Sequence, residues 1–168
     1  DALPISALAA HRERTMRGRI DRMRQIAPDL VCVVVGDGPA RSKLQRIHQN
    51  VIFTGYRTGE ALAACYASSD IMLFPSVTET FGNVLLEGMA SGLATLSFDY
   101  AAAALHCVDG VNARKVPKSD EAAYLTAAES LLDPTLRRHL GTEARKTAES
   151  LGWPAIVAEM ARLLYKAS

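Results

Sequence analysis

Two acidic residues, Glu79 and Glu87, are candidate binding groups because seven residues separate them in a stretch of mostly apolar and small side chains. Glu87 is the only ionisable side chain between Glu79 and Asp99. Removing a carboxylate from water is costly unless polar groups pair with it. We therefore expect Glu87 to face a cleft and to meet polar groups there.

The elements around these two carboxylates predict a site for an anion. The apolar run 71–74 indicates a buried strand that ends at Pro75. A short polar loop follows, and a compact helix starts near Gly82 and ends at Gly92. Free backbone N–H groups at a helix N-terminus favour negative charge. Strand, loop and helix start together therefore predict that an anionic group binds after Pro75.

Composition and charge limit the classes of function. The chain has 168 residues and a net charge of +1 at pH 7, which favours one domain and argues against nucleic acid or a membrane surface as the dominant partner. Its three cysteines are well separated, which favours reduced core thiols and a cytoplasmic location. No signal peptide is evident, and no apolar run approaches the roughly 20 residues of a membrane helix.

Strand and helix patterns alternate along the chain, which predicts a doubly wound, mainly parallel α/β sheet. The predicted strands cover 30–35, 51–53, 71–74, 94–98 and 113–116, the last at a sheet edge. The predicted helices cover 7–26, 40–47, 59–68, about 82–91, 101–107, 119–132, 134–150 and 153–166. Apolar residues at helical spacing and arginines on the other faces support the first helix. The three helices that finish the chain lie beyond the last strand.

Other residues fall where the predicted strands end. Gly36, Asp37 and Gly38 turn the first predicted strand into a helix, but the third glycine of a dinucleotide fingerprint is absent, which disfavours a nicotinamide dehydrogenase. Asp99 and Tyr100 follow strand 94–98, at the end where open α/β sheets place their ligands. The four histidines show no metal-ligand spacing, and we expect no metal site.

Three motifs in order and spacing resemble one enzyme family. They are VVVGDGP at 33–39, NVIFTG at 50–55 and PSVTETFGNVLLEGMASG at 75–92. This combination resembles the retaining GT-B glycosyltransferases of the glycosyl transferases group 1, family four type. The resemblance implies the Rossmann-like carboxy-terminal half of a GT-B fold, which binds a nucleotide-diphosphate sugar. It also implies sugar transfer with retention, no metal ion, and no cofactor other than the donor substrate itself.

The resemblance assigns roles to particular residues. Glu79 would be the catalytic-site carboxylate that binds the donor sugar, and Glu87 would accept hydrogen bonds from the two ribose hydroxyls. The sugar and phosphates would be bound by the backbone of Phe81, Gly82, Asn83 and Val84. The base region would be formed by Gly55, Tyr56 and Arg57. Further candidates near the cleft are Gly36, Asp37, Gly38, Asp99 and Tyr100.

The resemblance also implies that a separate amino-terminal domain binds the acceptor, and we expect that domain to be missing here. We expect the opening strand of the donor-binding half, with its Gly-Arg pair and lysine, to be missing as well. We therefore divide the chain into a basic amino-terminal helix over 1–28, an atypical or incomplete start, and a nucleotide-sugar-binding domain over 29–168. A peripheral contact with the inner membrane face would run through the absent domain.

Two further interpretations stay open beside the transferase. The chain taken alone is also consistent with a non-catalytic module that binds a nucleotide or nucleotide sugar. A GT-B sugar epimerase is less favoured because those enzymes carry a different set of motifs. The sequence does not identify the sugar, the nucleotide base or the acceptor.

Overall fold

The computed structural model describes residues 6–9, 13–77 and 83–152. Its strands are β1 (Ser6–Ala9), β2 (Val31–Val35), β3 (Val51–Gly55), β4 (Ile71–Phe74), β5 (Ala94–Phe98) and β6 (Arg114–Val116). Its helices are α1 (Glu13–Ile26), α2 (Arg41–Ile47), α3 (Gly59–Ala67), α4 (Asn83–Ala90), α5 (Ala102–His106), α6 (Glu121–Ser130) and α7 (Pro134–Ser150). The predicted helix at 153–166 lies outside the described residues.

The six strands form one parallel sheet in the order β3-β2-β1-β4-β5-β6. A crossover must return the chain to the same end of the sheet before each new parallel strand, so the connecting helices cover the faces of the sheet. The predicted doubly wound, parallel fold is therefore confirmed. β6 lies at one edge, as predicted for residues 113–116.

The start of the chain differs from the prediction. Residues 7–9 were predicted as the beginning of a helix, but Ser6–Ala9 form β1, which pairs with β2 on one side and β4 on the other. The expectation that the opening strand is missing is also wrong. The sequence SALA has no β-branched residue and favours a helix, and pairing with a strand on each side overrides that propensity. The predicted segments 1–28 and 29–168 thus share one sheet.

Two apolar layers pack on the two faces of the sheet. On β4, Ile71 and Leu73 point into one buried cluster, while Met72 and Phe74 point into the other. The first cluster contains Ile20 of α1 and Tyr124, Ala127 and Ala128 of α6. The second contains Leu85 and Met89 of α4 and Ala144 of α7. A strand covered on both faces reads as a continuous apolar run, which is why 71–74 was predictable.

Aspartate side chains at helix starts and a glycine after a helix end determine several helix boundaries. The carboxylates of Asp120 and Asp133 accept hydrogen bonds from backbone N–H groups in the first turns of α6 and α7, at 2.9 and 2.7 Å. Gly92 follows α4 with φ +78°, and the N–H of Leu93 donates to the carbonyl of Gly88 at 3.1 Å. This is a Schellman motif, so the predicted end of the helix at Gly92 is confirmed.

Two glycines allow close packing of α4 and α7. A Cβ atom at Gly88 would lie 2.1 Å from the sulfur of Met72 on β4, and one at Gly141 would lie 2.2 Å from the carbonyl oxygen of Gly92. Any side chain at these positions would force a backbone or core atom to move. The position of α4 against the sheet and against α7 is therefore fixed by contacts that only glycine permits.

The three cysteines are free thiols. Cys32 and Cys107 are buried, and burial raises the pKa of each thiol to about 11. They therefore stay protonated and behave as apolar core groups. Separately, none of the helices in the described ranges is both long enough and apolar enough to cross a membrane.

Candidate functional site

The strand order places the candidate site between β1 and β4. From β1 the chain builds outward through β2 to β3, and then it crosses back to add β4, β5 and β6 on the other side. In open α/β sheets, ligands bind at the carboxyl ends of the strands at such a switch point. The carboxyl ends of β1 and β4, where the next loops begin, therefore border the candidate crevice.

Several predicted site residues fall in those loops. Glu79, Phe81 and Gly82 lie outside the described residues, and so does the segment 10–12 that follows β1. The roles of Glu79, Phe81 and Gly82 stay predictions. The described part of the loop after β4 is Pro75, Ser76 and Val77, and Val77 packs against the first core cluster.

Helix α4 begins beside this crevice. Asn83 and Val84 are the first two residues of α4, and both are exposed. Because α4 connects β4 to β5, which pairs with β4 in parallel, the N-terminus of α4 lies toward the carboxyl edge of the sheet. The first N–H groups of a helix have no partner within the helix and can bind an anion. Asn83 and Val84 thus lie in the first turn of α4, and their role in binding an anion stays a prediction.

Glu87 lies one helical turn after Asn83 on the same face of α4. It is exposed, and its Oε2 atom accepts a hydrogen bond of 3.1 Å from the hydroxyl of Tyr66, at the end of α3. Burial and then the charge of Glu87 raise the pKa of Tyr66, so its hydroxyl stays protonated. Glu87 also lines a groove of about 300 Å³ between α4 and the end of α7, with Asn83, Leu86, Ala90, Ala148 and Leu151.

The glycine turns after β2 and β3 meet in one place, which we call the β2/β3 corner (residues 36–41 and 55–57). The N–H of Gly36 donates to the carbonyl of Gly55 at 2.9 Å, and the N–H of Tyr56 donates to Asp37 at 3.4 Å. Arg41 forms an ion pair with Asp37. The Arg41 hydrogen bond, then that of the Tyr56 backbone, hold the pKa of the Asp37 carboxyl below its usual range. The predicted strand-to-helix turn and the predicted base region are thus one structural unit.

Gly55 is required by the geometry of this corner. Its φ is +75°, and a Cβ atom there would lie 2.9 Å from Nη1 of Arg41. The guanidinium group of Arg41 therefore lies directly over the backbone of Gly55. Tyr56 and Arg57 follow with exposed side chains, and Tyr56 is 72% exposed. The corner presents an aromatic ring and a cation to solvent beside the carboxyl ends of the strands.

The turn after β5 and the turn after β6 form the β5/β6 corner (residues 99–101 and 115–118). The N–H of Asp99 donates to the carbonyl of Val116 at 2.7 Å, and Nζ of Lys115 lies 3.1 Å from Oδ1 of Asp99. The ammonium group of Lys118 lies 3.7 Å from the centre of the Tyr100 ring, within cation–π distance. The candidate residues Asp99 and Tyr100 are therefore each held by a lysine from the β6 segment.

Sequence reasoning missed Tyr66, Lys115 and Lys118 as partners of the candidate residues. Tyr66 precedes Glu87 by 21 positions, and no local spacing links them. The two lysines meet Asp99 and Tyr100 only because β6 pairs with β5. Arg41 offered a weak signal, since it follows Asp37 by four positions and has the opposite charge. No group of three or more His, Cys, Asp or Glu side chains within 6–9, 13–77 and 83–152 is arranged to hold a metal ion.

Comparisons with known proteins agree with this architecture. The chain is 34% identical over 153 residues to a GDP-mannose-dependent alpha-mannosyltransferase of Mycolicibacterium smegmatis. The aligned region covers 84% of this chain and 38% of that protein. The chain thus spans less than half the length of this curated relative. It is also similar in structure to sucrose-phosphate synthase from Thermosynechococcus elongatus, with a TM-score of 0.77 and 26% identity over 98% of this chain and 46% of that one.

A second solved structure shows the same fold at lower identity. The pneumococcal O-GlcNAc transferase GtfA, in complex with UDP and GlcNAc, has a TM-score of 0.77 and 20% identity, over 97% of this chain and 36% of that one. These structural relatives are GT-B glycosyltransferases, and the sheet described above is the carboxy-terminal half of such a fold. The family description "Glycosyl transferases group 1" matches residues 5–134. The chain therefore belongs to the glycosyl transferases group 1 family.

Proposed function

We propose that this chain is the donor-binding half of a glycosyltransferase that moves a sugar from a nucleoside diphosphate to an acceptor, with retention and without a metal ion. The observation that carries the proposal is the position of Glu87. This exposed carboxylate lies one turn into α4, beside the switch point, and a buried tyrosine holds it by a hydrogen bond. The family and the GDP-mannose-dependent relative support this interpretation.

Each part of the donor has a group suited to it. Glu87 accepts hydrogen bonds from the two ribose hydroxyls, because one carboxylate can serve two vicinal donors. The diphosphate binds at the N-terminus of α4, where Asn83 and Val84 form the start of the first turn. The base lies toward the β2/β3 corner, near Tyr56 and Arg57. Glu79 binds the donor sugar, a role that rests on the resemblance.

Charge develops on the departing diphosphate as the sugar leaves. Preorganised N–H groups at a helix start stabilise such charge, and losing one typically costs about 10²–10³ in rate. The N-terminus of α4 and basic groups supply this stabilisation in place of a metal ion. Asp99 and Tyr100, in the β5/β6 corner, support the sugar end of the site.

The acceptor is bound across the crevice by a separate amino-terminal domain. The whole enzyme works in the cytoplasm, and any contact with the membrane face runs through that domain. For the chain by itself, a nucleotide-sugar-binding module without catalysis is the second candidate.

Titration calorimetry of this chain with GDP and UDP tests donor binding. Glu87→Gln replaces the charged carboxylate that accepts hydrogen bonds from both ribose hydroxyls. Hydrogen bonds to charged groups are each worth about 1.5–3 kcal/mol, so we expect the Kd of the preferred nucleotide to rise about 10- to 100-fold. Glu60→Gln is the matched control, because Glu60 is an exposed glutamate in the first turn of α3. An unchanged Kd for Glu87→Gln would exclude the ribose assignment.

Catalysis is tested in a parent protein that carries the acceptor domain. There, Glu79→Ala should abolish sugar transfer while nucleotide binding, measured as above, persists. Release of nucleoside diphosphate only when acceptor is supplied identifies a transferase. Donor binding without any such release identifies the module.

A further inference from the structure

Glu87 is an exposed side chain with several rotatable bonds, yet the structure holds it in one place. Its restraint among the described residues is the hydroxyl of Tyr66, which donates to Oε2 at 3.1 Å. An unrestrained glutamate loses rotamer freedom when it binds a ligand, and that loss weakens binding. A hydrogen bond already formed in the empty site removes part of this cost.

Tyr66 is suited to this task because its ring is packed in the core. The residue is 4% exposed and belongs to the same buried cluster as Met72 and Phe74 of β4 and Met89 of α4. The ring is thus fixed by the core, and the hydroxyl reaches the exposed face of α4. A rigid donor on a packed ring sets the orientation of the carboxylate it contacts.

The arrangement leaves enough acceptor capacity for a ligand. A carboxylate offers about four lone-pair positions on two oxygens, and Tyr66 uses one position on Oε2. Oε1 and the remaining position on Oε2 are available to two vicinal hydroxyls. Because the pKa of Tyr66 is raised by burial and by Glu87, the tyrosine stays a donor across the neutral pH range and never competes as a phenolate.

We propose that Tyr66 is a positioning residue that orients Glu87 for a ribose diol, so that the Tyr66–Glu87 pair makes this site selective for ribonucleoside diphosphates over nucleotides without the two hydroxyls. The inference rests on the proposed role of Glu87 in binding the donor. It adds a residue on α3, outside the three motifs that carry the family resemblance.

The test compares the affinity of each variant for ribonucleotides with its affinity for analogues that lack the two hydroxyls. Wild type, Tyr66→Phe, Glu87→Gln and the double variant are titrated with GDP and UDP and with their 2′,3′-dideoxy analogues. We expect wild type to prefer the ribonucleotide by at least ~10-fold. Tyr66→Phe should raise the Kd of the ribonucleotide about 3- to 10-fold and leave the Kd of the dideoxy analogue unchanged. The double variant should bind no more weakly than Glu87→Gln, because the two residues act as a unit.

Tyr124→Phe is the matched control. It also removes a buried tyrosine hydroxyl, one that donates to the carbonyl of Leu96 at 3.3 Å on the other face of the sheet. We expect it to leave the ribo-to-dideoxy ratio of wild type intact. Melting curves and circular dichroism verify the fold of each variant. If Tyr66→Phe does not fold, Tyr66→Met, which fills the space without a hydroxyl, takes its place.

The outcomes separate this inference from the proposed function. If Glu87→Gln abolishes the preference for the ribonucleotide over its dideoxy analogue and Tyr66→Phe leaves that preference unchanged, the positioning role of Tyr66 is wrong and the ribose role of Glu87 stands. If Tyr66→Phe weakens the binding of both ligands equally, the Tyr66 hydroxyl has a purely structural role. That result would also overturn the inference. Failure of wild type to bind GDP or UDP would overturn both.

Discussion

The β2/β3 corner and the β5/β6 corner both turn the chain sharply at the carboxyl edge of the sheet, but with different residues. In the first, Gly36 and Gly55 take up the positive φ angles of +134° and +75°. In the second, the positive angle of +48° falls on Ala101, with ψ −122°. The resemblance implies a glycine-rich turn where this chain has Ala101–Ala104. In the second corner the chain therefore forces a backbone conformation typical of glycine on an alanine.

The acidic residues of the two corners are also held differently. Asp37 is paired with Arg41, four positions later, and with the N–H of Tyr56. Asp99 is paired with Lys115, which reaches it only because β6 lies beside β5. The first ion pair is therefore local in sequence, and the second depends on the sheet. Substitutions that reverse or remove these features test the contrast.

The largest effect is expected for Gly55→Ala. Alanine disfavours φ +75°, and its Cβ would displace the guanidinium of Arg41 at 2.9 Å, so we expect a loss of about 1–3 kcal/mol in the free energy of unfolding. Urea denaturation measures it. Gly38→Ala is the control in the same corner, since its Cβ would meet no atom within 4 Å. Equal losses for both variants would contradict the assigned role of Gly55.

A smaller effect of opposite sign is expected for Ala101→Gly. Glycine relieves the backbone strain at φ +48°, worth about 1–3 kcal/mol, but loses more chain entropy on folding, worth about 0.5–1 kcal/mol. The net expectation is stabilisation of about 1 kcal/mol, or a rise in Tm of roughly 2–4 °C. The same change at Ala104, an exposed position inside α5, should destabilise instead. A fall in Tm for Ala101→Gly would show that the turn is unstrained.

The smallest effect concerns pH and the Asp37–Arg41 pair. The pKa of Asp37 is lowered in the folded protein, so its contribution to stability is present above the ordinary carboxyl pKa and is lost as pH falls through the lowered value. Asp37→Asn should therefore reduce stability slightly at pH 7 and leave it nearly unchanged near pH 2. Urea denaturation at both values measures the difference. Arg41→Gln should produce the same pH dependence, and an Asp37→Asn effect that does not shrink in acid would refute it.

Local patterns predicted the elements that they determine themselves. The apolar runs of β4 and β5 and the Asp133-Pro134 start of α7 were sufficient, because burial on two faces and helix capping leave direct marks in sequence. β1 was missed because its four residues are specified by pairing with neighbours that come later in the chain. Tyr66 was missed as a partner of Glu87 for the same reason: the contact belongs to the packing of α3 against α4.

The position of β1 has a consequence for how ligand and scaffold depend on each other. In the described part of the chain, β2–β3 and β4–β5–β6 are two sub-sheets joined by the backbone hydrogen bonds of residues 6–9. The candidate crevice lies at that seam, at the carboxyl ends of β1 and β4. A nucleotide that contacts both sub-sheets at their carboxyl ends would stabilise the pairing between them. Ligand binding and the stability of the sheet would then be thermodynamically linked.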